Sequence, residues 1–133
     1  MDTYFAIEDG ILRLTRPFPE SMTWTDALEL AIAKWELIVQ AHEETPQGPL
    51  LGVNHSTCAL CDLEGRTNAC RGCPVREATG GNCMETPYSD YIFALTPDQA
   101  LDAAKAEVRF LKSLRVDARL LDCIHPPVSK ILA

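Results

Sequence analysis

Positive charge is scarce in this sequence. Twelve lysines and arginines stand against 19 aspartates and glutamates, giving a net charge of −7 and a pI of about 4.8. A general nucleic-acid binder is therefore not expected, because phosphate contacts need a surplus of basic side chains. Apolar runs are short as well. None approaches the roughly 20 residues that span a bilayer, and MDTYFAIEDG at the start has neither a basic n-region nor an apolar h-region. A soluble, cytoplasmic protein without a membrane role is expected. The sequon Asn54-His55-Ser56 is then a chance match. Also missing are a phosphate-cradling glycine loop, a His-Glu-x-x-His helix, a βαβ pattern of the thioredoxin kind, any repeat and any low-complexity tract. No convergent acid–base set is visible, so the reading leans away from an enzyme and assigns no catalytic residue.

What is present is cysteine. Five of the six cysteines fall between positions 58 and 83. Cys58-x-x-Cys61 and Cys70-x-x-Cys73 stand eight residues apart, and Cys83 follows. In a reducing cytosol such pairs more often hold a metal than form structural disulfides. A Cys-x-x-Cys turn lets two thiolates converge on one ion, and zinc takes about four such ligands in a tetrahedron. Two ligand sets fit the spacing: Cys58, Cys61, Cys70 and Cys73, or Cys58, Cys61, Cys73 and Cys83. An iron–sulfur cluster is the alternative cofactor, although the full ferredoxin run is absent. His55 precedes Cys58 by three residues and is read as a surface or capping residue. Cys123 lies in an apolar run and is expected to be a small buried hydrophobe.

Periodicity predicts a mainly α protein of one domain, 1–133, in which two longer helices flank a metal-stapled, cysteine-rich loop. Residues 1–16 read as a small N-terminal hairpin turning at Asp9-Gly10, a favoured type I′ pair. A helix is expected over 23–43, capped by Thr23 with Asp26 at N3. Its first apolar stripe runs through Trp24, Leu28, Ala31, Ile32, Trp35, Ile38 and Val39. A second, Ala27, Leu30, Leu37 and Ala41, is interrupted by Lys34. Two intramolecular neighbours account for both stripes, and the second is also a candidate homodimer surface on helix 24–42. Residues 50–85 show no apolar period and form the cysteine-rich insertion, with only short helical turns at 61–66 and 74–79. Thr86-Pro87 and Thr96-Pro97 start the helices of 86–116. Glu107 breaks the apolar face of the last of these and is expected to pair with Lys34. Residues 117–133 read as a tail.

Several segments, taken together, resemble a known family: Trp24-Thr25-Asp26-Ala27-Leu28, Lys34-Trp35-Glu36, Cys58-x-x-Cys61, Gly72-Cys73-Pro74-Val75, Thr79-Gly80, Cys83-Met84-Glu85-Thr86-Pro87-Tyr88 and Ala106-Glu107-Val108-x-Phe110-Leu111-x-Ser113-Leu114. This pattern is similar to small cysteine-rich proteins of phages and prophages. It covers about Trp24 to Leu114. The resemblance implies a helix–cysteine loop–helix plan and, if phage-encoded, a setting in the bacterial host cytoplasm. It brings no catalytic residue. Composition and resemblance together lead to one expectation, a zinc-binding module with a protein partner, such as a phage-encoded modulator of a host protein. The alternative is an iron–sulfur or thiol redox protein.

Overall fold

A computed structural model describes residues 4–53, 57–67, 74–79, 86–124 and 128–129. The fold is mainly helical, with a small antiparallel hairpin near the start. Strands β1 (Phe5–Glu8) and β2 (Ile11–Leu14) pair with Phe5 opposite Leu14 and Glu8 opposite Ile11. The turn holds Asp9 at φ 54° and Gly10 at φ 75°. Both central residues of a type I′ turn need positive φ, which aspartate tolerates and glycine takes freely. Phe5 and Leu12 turn inward and are buried. The outer edge continues through Gly52, whose carbonyl accepts the Leu12 N–H at 2.9 Å and whose N–H donates to Gly10 at 2.8 Å.

Helix α1 (Trp24–Glu44) begins with the capping box that the sequence predicts. Thr23 Oγ1 accepts the Asp26 N–H at 3.0 Å, and Asp26 Oδ2 accepts the Thr23 N–H at 3.1 Å. A second carboxylate, invisible to local sequence, completes the cap. Asp122 accepts the Trp24 N–H at 2.7 Å and the Thr25 N–H at 2.9 Å, and also bonds the Thr25 hydroxyl. First-turn N–H groups have no partner inside the helix, and a carboxylate there also meets the positive end of the helix dipole. Asp122→Ala is expected to cost about 2 kcal/mol, seen as a lower urea midpoint at unchanged m. An unmoved midpoint would show that the contact contributes nothing.

The buried stripe of α1 runs Trp24, Ala27, Leu28, Ala31, Ile32, Lys34, Trp35, Ile38 and His42. It packs against α2 (Ala59–Thr67), α5 (Pro97–Ser113) and α6 (Arg115–Ile124). These neighbours bury Ala27 and all of the first stripe except Val39, whereas Leu30, Leu37 and Ala41 of the second stripe stay half-buried. Between them lie α3 (Pro74–Thr79) and α4 (Pro87–Ile92). Thr86 and Thr96 cap α4 and α5, each with proline in the first turn.

Three expectations change. The insertion at 50–85 is not devoid of an apolar face, because Ala59, Leu60 and Leu63 of α2 are buried against α1. Their i, i+4 spacing is short and lies among cysteines, which hides it from a longer-window reading. Arg66 extends that face, donating to the carbonyls of Pro19 at 2.8 Å and Glu20 at 3.2 Å and pairing with Asp62 at 2.8 Å. The tail is also structured. Leu114 leaves helical geometry for one residue, and α6 then begins without proline or glycine to announce it. Beyond α6, β4 (Val128–Ser129) pairs antiparallel with β3 (Ser21–Met22). Finally, Cys123 is exposed rather than buried. Ala118, with Leu114 just ahead of the helix, sets the inward face of α6, and Cys123 shares the outer face with Leu120. Among the described residues, no helix is long and apolar enough to cross a membrane.

Candidate metal centre

Cys58 and Cys61 stand at the start of α2, the first just ahead of the helix and the second in its first turn. Cys58 is half-buried and Cys61 exposed. The Cys58 sulfur accepts the Cys61 N–H at 3.3 Å, and the Leu60 N–H also bonds it. The Asp62 N–H meets the Cys58 carbonyl at 3.0 Å. The helix start thus turns its unpaired donors onto one sulfur, which favours the thiolate.

The Cys58 thiol is pulled down to about 6. Its hydrogen bond with the Cys61 side chain is the largest cause; burial opposes it, while the Lys34 charge and the two N–H groups add to it. Thiolate, the form that ligates metals, thus prevails at neutral pH.

Lys34 is the unexpected neighbour. It comes from the middle of α1, is 3% exposed, and has its ammonium 5.5 Å from the centre of the Trp35 ring. On the α5 side it faces Glu107, which is 5% exposed. Burial pushes the Glu107 carboxyl up to about 7, against the pull of Lys34 and a hydrogen bond from Thr86, while the Cys58 charge pushes it further up. Thr86 Oγ1 accepts the Tyr88 N–H at 3.2 Å, which leaves its hydroxyl hydrogen for Glu107. Glu107 Oε1 has no hydrogen-bond partner among the described residues. The expected link between Lys34 and Glu107 is present as an electrostatic contact. It has a third member, Cys58, that sequence reasoning did not attach to it. One buried cation thus serves two groups that become anionic near neutral pH. The clue in the sequence was the pair of charged residues interrupting two apolar faces.

Beside this cluster, His42 Nε2 lies 2.9 Å from the Tyr91 hydroxyl, and both are buried. Burial lowers the His42 pKa and raises that of Tyr91 to about 12. This keeps both neutral near pH 7.

Of the five predicted metal ligands, the structure brings Cys58 and Cys61 together. Cys70, Cys73 and Cys83, along with His55, lie outside the described residues. Among the described residues, no group of three or more histidines, cysteines or acids is gathered around one point. The Cys58–Cys61 pair fits one half of a tetrahedral thiolate site in residue type and turn geometry, and its N–H bonds to sulfur suit a bound thiolate. Compared with family models, curated proteins and solved structures, the chain matches none.

Proposed function

We propose that the protein is a small zinc-binding module that acts by binding another protein, not by catalysis. Cys58 and Cys61 would hold one side of the ion, and two of Cys70, Cys73 and Cys83 would complete a metal-stapled loop between α1 and the later helices. The carrying observation is the Cys58 sulfur, bonded by two backbone N–H groups and set beside the buried Lys34. A site of four thiolates around a divalent ion carries net negative charge, and a buried cation beside it offsets part of that charge. Zinc would add to the ordering that the buried Pro74 and Val75 give the segment beyond α2. The resemblance to phage proteins makes a host protein the natural partner, within a bacterial cytoplasm.

A second reading has its own support. A lowered thiol beside an exposed one at a helix start is also the arrangement of a redox dithiol, and the same N–H bonds to sulfur would suit an iron–sulfur cluster.

Metal analysis of protein purified without oxygen separates these readings. One zinc per chain in a colourless protein is the expected result. A brown protein with broad visible absorption would replace zinc by a cluster. Metal-free protein that loses two mass units on mild oxidation at Cys58 and Cys61 would support the dithiol. Cys61→Ala is expected to weaken zinc binding by about 100-fold or more and, like removal of the ion by a chelator, to raise amide exchange from 58 to 83, while α1 and α5 stay protected. Unchanged exchange in that segment after chelation would overturn the staple.

A further inference from the structure

One open feature is lined by none of the described cysteines. A groove of about 670 Å³ runs between the hairpin and the outer face of α1. Leu30, Ala33 and Leu37 line it from α1, while Tyr4, Phe5 and Pro19 line it from the hairpin side. Leu30 and Leu37 belong to the second apolar stripe of α1 and are only half-buried. The lining along α1 extends from Asp26 to Gln40, about 21 Å or four helical turns. A length of this kind suits a rod better than a compact small molecule.

The charged side chains of its lining are all acids, although Arg16 stands next to it, 3.9 Å from the centre of the Tyr4 ring. Asp26, Glu29 and Glu36 line the groove, and no lysine or arginine does. The exposed positions of α1 add Glu43 and Glu44, and its single lysine, Lys34, is buried. Glu29, Glu36 and Glu43 meet Arg115, Lys112 and Lys105 across exposed ion pairs. Arg115 holds Glu29 through two hydrogen bonds, at 2.8 and 2.9 Å, whereas the single lysine contacts to Glu36 and Glu43 are weak and open to competition from an incoming cation. A second copy would set this acidic face against itself, because a two-fold contact uses the same patch twice. The geometry points to a basic amphipathic helix of a partner protein as the occupant, its apolar side on Leu30 and Leu37 and its lysines or arginines on the carboxylate rim. This assignment rests on the binding-module reading and is independent of the metal.

The probe is a fluorescein-labelled 18-residue peptide of leucine and lysine, with the leucines at helical spacing. Its anisotropy is followed as the full-length protein is added. Saturable binding is expected, together with its loss when glutamate replaces lysine in the peptide. The decisive variant is Leu30→Asp with Leu37→Asp. It makes the protein more acidic, so general charge attraction would tighten binding, whereas a groove that buries leucines predicts at least a tenfold loss. Ala33→Arg, at an exposed position, fills and reverses the groove without touching the core, and must weaken binding too. Circular dichroism checks that both variants fold. Equal or tighter binding by the aspartate variant, or no binding by the unaltered protein, overturns the proposal. So does a dimer in light scattering that both variants abolish, which would make a second copy the occupant. Repeating the titration with chelator separates the two readings. Binding that survives chelation leaves the groove standing even if the metal site fails. Peptide binding that ignores every groove variant leaves a binding module whose contact lies elsewhere.

Discussion

Trp35→Ala is expected to destabilise the protein by about 3–5 kcal/mol, a large part of the 5–15 kcal/mol that holds a typical domain folded. Trp35 is 2% exposed at the centre of the α1 stripe. The Tyr91 ring stands edge-on to it at 5.1 Å between centroids, and the Tyr88 ring does the same at 5.8 Å. Edge-to-face pairs contribute beyond the area they bury. These contacts seat α4 on α1, and α4 begins at the Thr86 cap whose hydroxyl donates to Glu107. Truncation therefore opens a cavity and also loosens a hydrogen bond to a buried carboxyl. Urea unfolding followed by circular dichroism measures the loss, with Trp24 left as the fluorescent reporter. A midpoint within experimental error of the unaltered protein would mean that α4 is not seated on this ring in solution.

Glu107→Gln is expected to change how stability depends on pH. The folded protein holds the Glu107 carboxyl at about 7, above its ordinary 4.5. Between those values the folded chain keeps a proton that the unfolded chain has lost. Stability due to Glu107 is therefore complete below 4.5 and disappears as pH rises through 7, a loss of about 3 kcal/mol. Glutamine cannot titrate, so the variant should lack this decline and gain on the unaltered protein as pH rises. Cys58 works in the opposite sense. Its folded value of about 6 lies below the ordinary 9.0, so its contribution is present at high pH and is lost as pH falls through 6. The two slopes partly cancel near neutrality in the unaltered protein, and the glutamine variant should leave the thiol's slope together with that of His42, whose lowered pKa acts in the same sense. Urea midpoints of chelated protein from pH 4.5 to 8 provide the comparison. Parallel curves for the two proteins would show that Glu107 titrates as an ordinary surface acid.

Elements defined by local chemistry were legible in advance. Asp9-Gly10 needs no distant partner to turn, and Thr23 and Asp26 cap each other within four residues. Lys34 and Glu107 announced themselves by interrupting apolar faces. What escaped depends on tertiary context. The three apolar residues of α2 are too few to show a period, yet burial against α1 is enough to order them. Helix α6 restarts after Leu114 because the chain can pack there, with no breaker residue to mark the place. The phase of that restart turns Cys123 outward. Nothing near Cys58 in sequence shows that Lys34 is its neighbour, since α1 and α2 come together only through packing.

Asp122 reaches Trp24 across 98 residues, and β3 pairs with β4 over a similar span. Together they latch the two ends of the helical body to each other. A closure of that length carries a high entropic penalty before it forms, so it should come late, after α1, α2 and α5 have gathered. The first turn of α1 therefore has two stages of order. Thr23 and Asp26 can set it early, within a chain still open, whereas the amides of Trp24 and Thr25 gain a carboxylate partner only when the ring closes. Those two amides thus report, from the beginning of the longest helix, on whether the far end of the chain has arrived.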